Sequence, residues 1–145
     1  MYIPLLKSHS GLRWIVVILF ILAIAGLIRA AYQGKCSNRA LLFAKLTLIV
    51  SHIQLLLGLW LYFISPKVVF MAESMKNKVL RFYLVEHIAL MIIALAVLTI
   101  GYVKYKKTIE NQSSAKSMLW YYIISFVLIL ISIPWPFRGM GAGWF

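Results

Sequence analysis

The chain has 145 residues, 63% of them hydrophobic and only 12% charged, and with a mean hydropathy of +0.93 it is too apolar for a water-soluble domain and too short for several domains. Its formal charge of +12 would suggest nucleic acid in a soluble protein. Here Lys and Arg sit mostly between apolar runs, where lipid phosphates await them, so the charge reads as membrane anchoring with no nucleic acid partner.

The first span is predicted over about residues 4–32. Pro4 suits a first helical turn, and that start puts His9 and Arg13 on one face as an i, i+4 pair. Lys7 before an apolar run also resembles a signal peptide, but Arg29-Ala30-Ala31-Tyr32 offers no convincing cleavage site and the run is long enough to span. Gln33 to Arg39 is a polar connector with the Gly and Asn of a turn. Its Cys36 is the only cysteine, so an internal disulfide, a CxxC pair and a thiolate metal cluster are all excluded.

The second span is predicted over about 40–64 and holds Lys45, Thr47, Ser51, His52, Gln54 and Gly58. Thr47, Ser51, Gln54 and Gly58 share one face, the pattern of small and hydrogen-bonding residues at a helix contact in lipid, and that face should point into the bundle. Pro66 ends the span. In the connector from Lys67 to Lys78, Val68, Val69, Phe70, Met71 and Met75 are candidates to dip into the membrane interface.

The third span, about 79–103, carries Glu86 and His87 side by side. An ionisable group inside a span costs roughly 2.5–3.5 kcal/mol on insertion scales and is by default functional. Tyr102, Lys104, Tyr105, Lys106 and Lys107 close this span as interfacial anchors, and Thr108 to Lys116 is a polar loop. The fourth span, about 118–133, opens on Trp120, Tyr121 and Tyr122 and is stopped by Pro134 and Pro136. The Trp135 to Phe145 tail has the Trp, Phe and Arg content of a segment at headgroup level. Gly139, Gly141 and Gly143 do not make a nucleotide site, because no strand precedes them and no helix follows.

The expected architecture is all-α: a single domain formed by an integral membrane four-helix up-and-down bundle with both termini on one side. The side of the first and third loops holds eight Lys and Arg and the other side seven, which leans toward termini outside the cytoplasm. At 1.5 Å per residue, His9 lies about 7 Å and His87 about 12 Å from the face of the termini, while His52 lies roughly 18 Å in. His9 and His87 therefore share a half of the membrane.

Neutral histidines from different helices at similar depth are what a b-type haem needs, one axial nitrogen from each side of the ring. His9 and His87 fit best, His9 reading equally as a solvated interfacial residue. Haem propionates there would meet Lys7, Lys76, Lys78, Arg81 or Arg138. Arg13 reads as a snorkelling or propionate-binding cation, or as the buried ion-pair partner of Glu86, and Glu86 alternatively accepts a quinol proton or orients a ligand histidine. His52 reads first as a helix tie and second as an additional ligand. Met91 reads as a gap filler before a sulfur ligand. No Ser/His/Asp set can be assembled from three acidic residues, so any chemistry belongs to a cofactor.

His9-Ser10-Gly11-Leu12-Arg13-Trp14, the His52 to Gly58 stretch, Glu86-His87 and Ile133-Pro134-Trp135-Pro136-Phe137-Arg138 together resemble small four-span bacterial membrane proteins labelled cytochrome b-like. The resemblance covers nearly the whole chain and implies haem and a bacterial inner membrane. A second likeness, to one half of haem A synthase, matches His9, the Gln54 to Gly58 stretch and His87. This chain has one such unit, Arg13 is four residues from His9 rather than adjacent, and no glutamate precedes the first histidine, so haem A synthesis is not implied.

The reading that results is a b-type cytochrome-like protein passing electrons through haem b, with quinone or a respiratory complex as partner, His9 and His87 as axial ligands and Arg13 and Glu86 in support. The alternative is a cofactor-free structural subunit of a larger membrane complex. A metal transporter using all three histidines would need His52 to reach the same site.

Overall fold

The computed structural model describes residues 1–34, 36–108 and 112–144. Lys35 of the first connector, residues 109–111 of the third loop and Phe145 of the tail lie outside the described residues.

Local chemistry sets the helix ends. Helix α1 (Tyr2–Gln33) closes on Gly34, whose N–H bonds to Ala30 O. Helix α2 (Asn38–Ile64) opens on Ser37, whose hydroxyl accepts from Ala40 N at 3.2 Å, satisfying one of the amides a helix start leaves free. It stops at Ile64, ahead of Pro66. The connector carries a short 3-10 turn, Ala72–Met75, and leaves Phe70, Met71 and Met75 exposed, as an interfacial segment would. Helix α3 (Lys78–Lys107) is capped by Asn77, whose Oδ1 accepts from Val79 N at 2.9 Å and Leu80 N at 3.2 Å. Helix α4 (Gln112–Ser132) begins earlier than the Trp120-Tyr121-Tyr122 girdle suggests and ends just before Pro134.

All four helices are long and apolar enough to cross a membrane, and large apolar side chains such as Ile18, Leu56, Ile93 and Val127 point outward. The chain is an integral membrane protein, with no strand among its described residues. The helices pack in a ring, α1 on α2, α2 on α3, α3 on α4 and α4 back on α1, the up-and-down bundle expected.

α3 departs from a plain α-helix at Phe82–Glu86, a π-helical turn in which His87 N–H bonds back to Phe82 O, five residues earlier. Such a turn advances the helix by one residue and rotates everything after it by about 100°. Tyr62 of α2 donates to Leu84 O within it at 2.9 Å.

The close-packed core lies toward the end of the bundle that carries the first and third loops. Phe20 stacks on Phe126 at 5.1 Å. Tyr122 is fully buried and donates to Ala44 O at 2.8 Å, and Ser125 donates to Ala94 O at 2.9 Å. Each buried hydroxyl therefore has an acceptor, as a low-dielectric interior demands. Gly101 brings α3 against Tyr121, where any Cβ would collide with that side chain.

Candidate functional site

The other end of the bundle is built differently. The first turns of α1, the last turns of α2, the wide turn of α3 and the returning tail enclose a cavity of about 190 Å³, well above the roughly 10–15 Å³ that one water needs. Its wall is mainly aliphatic and aromatic, with His9, Arg13, Ser51, Gln54, Lys67 and His87 as its nitrogen-bearing or hydroxyl side chains of interest.

His9 reaches the cavity because Gly58 leaves room for it: a Cβ on Gly58 would lie 3.0 Å from His9 Cε1. Gln54, one turn earlier on α2, donates its Nε2 to His9 O at 2.8 Å and so ties α1 to α2 at this level. The face of Thr47, Ser51, Gln54 and Gly58 does turn inward, with Thr47 and Ser51 buried and Gln54 and Gly58 on the cavity.

His87 is turned inward after the wide turn and hydrogen-bonds through Nδ1 to Ser132 O at 2.8 Å. Ser132 Oγ donates in turn to His87 O at 3.2 Å. Nδ1 thus carries the proton and Nε2 keeps its lone pair, with no hydrogen-bond partner among the described residues. A carbonyl on the far nitrogen is how proteins fix the tautomer of a metal-ligating histidine. His9 and His87 line the same cavity.

The sequence expectation for Glu86 is corrected. Its carboxylate accepts from Arg81 Nε at 2.8 Å, both side chains being 42% exposed, and it is absent from the cavity wall. Neighbouring residues on a helix point about 100° apart, and the π turn brings i and i+5 onto one side, so Glu86 stays outside with Arg81 while His87 turns in. The proposed Arg13–Glu86 ion pair does not form. Arg13, only 8% exposed, donates Nη2 to Trp144 O at 2.6 Å and lies over the rings of Trp14 and Trp135, 5.5 and 5.8 Å from their centroids.

His52 sits outside the cavity. Its Nδ1 meets Leu48 O at 2.7 Å and its Nε2 lies 3.4 Å from Thr99 Oγ1, the helix tie that was its first reading. No cluster of three His, Cys, Asp or Glu able to hold a metal ion occurs among the described residues, and His52 does not join His9 and His87 on the cavity wall.

Two parts of the site are not evident from the sequence. The tail folds back over the cavity mouth through Gly139 and Gly141, whose φ of 67° and 66° suits glycine, and Tyr83 OH donates to Met140 O at 3.1 Å. Lys67, from the connector, lines the cavity and donates to Gly141 O. Burial pushes its ammonium below the ordinary lysine range. The clue to Lys67 was its place directly after Pro66, where the chain must turn back across the bundle end.

Four buried side-chain atoms among the described residues have no hydrogen-bond partner: His9 Nδ1, Arg13 Nε, Ser51 Oγ and Gln54 Oε1. All four residues line this cavity. Native interiors seldom leave such groups unpaired, and their concentration around one cavity makes it the candidate binding site. Comparison of the chain with protein-family models, with curated proteins and with solved structures finds no match.

Proposed function

We propose that the cavity binds haem b between His9 and His87 and that the protein passes electrons within a bacterial inner membrane, its termini on the extracytoplasmic side and its redox partner a quinone or a respiratory complex. The observation that carries this reading is the pair of imidazoles from different helices on one cavity, His87 with Nδ1 anchored to Ser132 O and Nε2 free, His9 with Nδ1 buried and unpartnered.

The residues present fit the group. Neutral imidazole is the ordinary axial ligand of a b-type centre, Gly58 supplies the space beside the His9 ring, and most of the wall is apolar. When bound, haem would supply reversible one-electron chemistry. The chain's own part is to hold the ring nitrogens, through Ser132 O for His87 and through packing on Gly58 for His9. Glu86 has no place in this scheme, and Arg13 has one as a cation on the cavity wall.

The test is a dithionite-reduced minus oxidised visible spectrum of the detergent-purified protein and of its His9→Ala and His87→Ala variants. Sharp b-type bands in the parent, lost in each variant while the protein stays folded, support bis-histidine ligation. A folded parent made where haem is plentiful and showing no bands overturns the reading and favours the cofactor-free structural subunit.

A further inference from the structure

Among the described residues, the cavity wall carries cations but no acid: Arg13 and Lys67 both line it, and no described Asp or Glu does. The described carboxylates are committed elsewhere, Glu73 to Lys76 at 3.3 Å and Glu86 to Arg81 at 2.8 Å. Guanidinium does not shed its proton in proteins, so Arg13 is a buried charge held by the neutral carbonyl of Trp144 and by aromatic faces, with Nε unpartnered. Lys67, half-buried at the mouth, also rests on a neutral acceptor, Gly141 O. A buried cation without a counter-charge is costly, and a partner anion removes that cost.

We infer that Arg13 and Lys67 form a carboxylate-binding site at the cavity mouth, which takes the acid group of a ligand whose apolar body lies against the aliphatic wall. Arginine is suited to this because its fork of donors matches a carboxylate edge, and Nε is among the donors without a hydrogen bond. The site deepens the haem reading, on which it rests where the acid group is a haem propionate. A long-chain fatty acid offers the same chemistry, a carboxylate on an apolar body. In either case the partners are these two residues, rather than Lys7, Lys76, Lys78, Arg81 or Arg138. Arg138 is occupied, donating Nη1 to Ile131 O at 2.6 Å and Ile133 O at 3.0 Å.

The experiment uses the full chain in detergent and two pairs of probes: haem against haem dimethyl ester, followed by absorbance titration, and tritiated palmitate competed by unlabelled palmitate or methyl palmitate. Each is repeated with Arg13→Gln, Lys67→Gln and, as a charge control outside the cavity, Lys76→Gln. The acid should bind about tenfold or more tightly than its ester, the scale of one charge-assisted hydrogen bond. That gap should shrink in Arg13→Gln and Lys67→Gln and persist in Lys76→Gln. Lys67 lies in the connector, so its variant keeps the test open even where Arg13→Gln fails to fold.

Discrimination confined to haem names the propionate as the source. Discrimination confined to palmitate, with no b-type bands, keeps the carboxylate site and overturns the haem reading. Bis-histidine bands with acid and ester bound alike keep the haem reading and overturn the carboxylate site. Binding of neither acid, or a gap that survives both cavity variants, also overturns it.

Discussion

The two ends of this bundle solve the same problem in opposite ways. Toward the first and third loops, helices meet through ring stacking and small residues, and every buried hydroxyl noted there has an acceptor: Tyr122 finds Ala44 O and Ser125 finds Ala94 O. Toward the termini, the wall is held apart around a cavity, and His9, Arg13, Ser51 and Gln54, which line it, keep buried polar atoms without partners. In lipid, where helix association relies on packing and hydrogen bonds rather than on water, the satisfied end supplies packing that the open end lacks.

Substitutions can break that contrast from either side. The largest expected effect on stability is Gly101→Ala, which drives a methyl into Tyr121 at the α3–α4 contact and should cost about 1–3 kcal/mol by overpacking, seen as a lower melting temperature in detergent. Tyr122→Phe should cost about 0.5–1.5 kcal/mol, because Ala44 O loses its donor, and leave ligand binding as it was. Gly58→Ala at the open end should behave in reverse. Its helix-propensity gain of roughly 0.5–1 kcal/mol offsets the crowding, so thermal melting barely moves, while the displaced His9 ring lowers haem affinity in a titration.

Smaller effects come from titration. Carboxylate binding at the mouth uses the Lys67 ammonium, and burial lowers its pKa, so affinity should hold near neutral pH, where ligand carboxylate and ammonium are both charged, and fall as pH rises, starting below the ordinary lysine value of about 10.4. Lys67→Gln should erase that step in a pH series of palmitate binding. At the packed end, burial pushes the Cys36 thiol up. Iodoacetamide at about pH 8.5 should therefore alkylate it more slowly than an exposed thiol; a rate equal to that of glutathione would remove the argument that this end is closed.

Much of the framework was legible in the residues. Three helix ends follow Gly34, Pro66 and Pro134, although α1 starts at Tyr2, two residues ahead of the Pro4 start expected, and the inward face of α2 follows from small and polar residues at helical spacing. His9 and His87 share an end of the bundle, as their depth implies, because counting residues along a helix measures distance directly. Glu86 misled because adjacency in sequence is not adjacency on a helix, and no composition signal announces a π turn that sends Arg81 and Glu86 outward together. Lys67 and the tail were missed for a related reason, since their role comes from irregular backbone that no periodicity describes.

The sequence by itself determined that this chain forms four helices long and apolar enough to cross a membrane, which face of α2 turns inward, and that His9 and His87 lie toward one end of the bundle, because hydrophobic length and helical pitch are local properties. Only the tertiary structure decided which charges are paired and which face the cavity. Pairing depends on rotation at the π turn and on the tail's return over Arg13, contacts between residues as far apart as Arg13 and Trp144, which no local property of either segment contains.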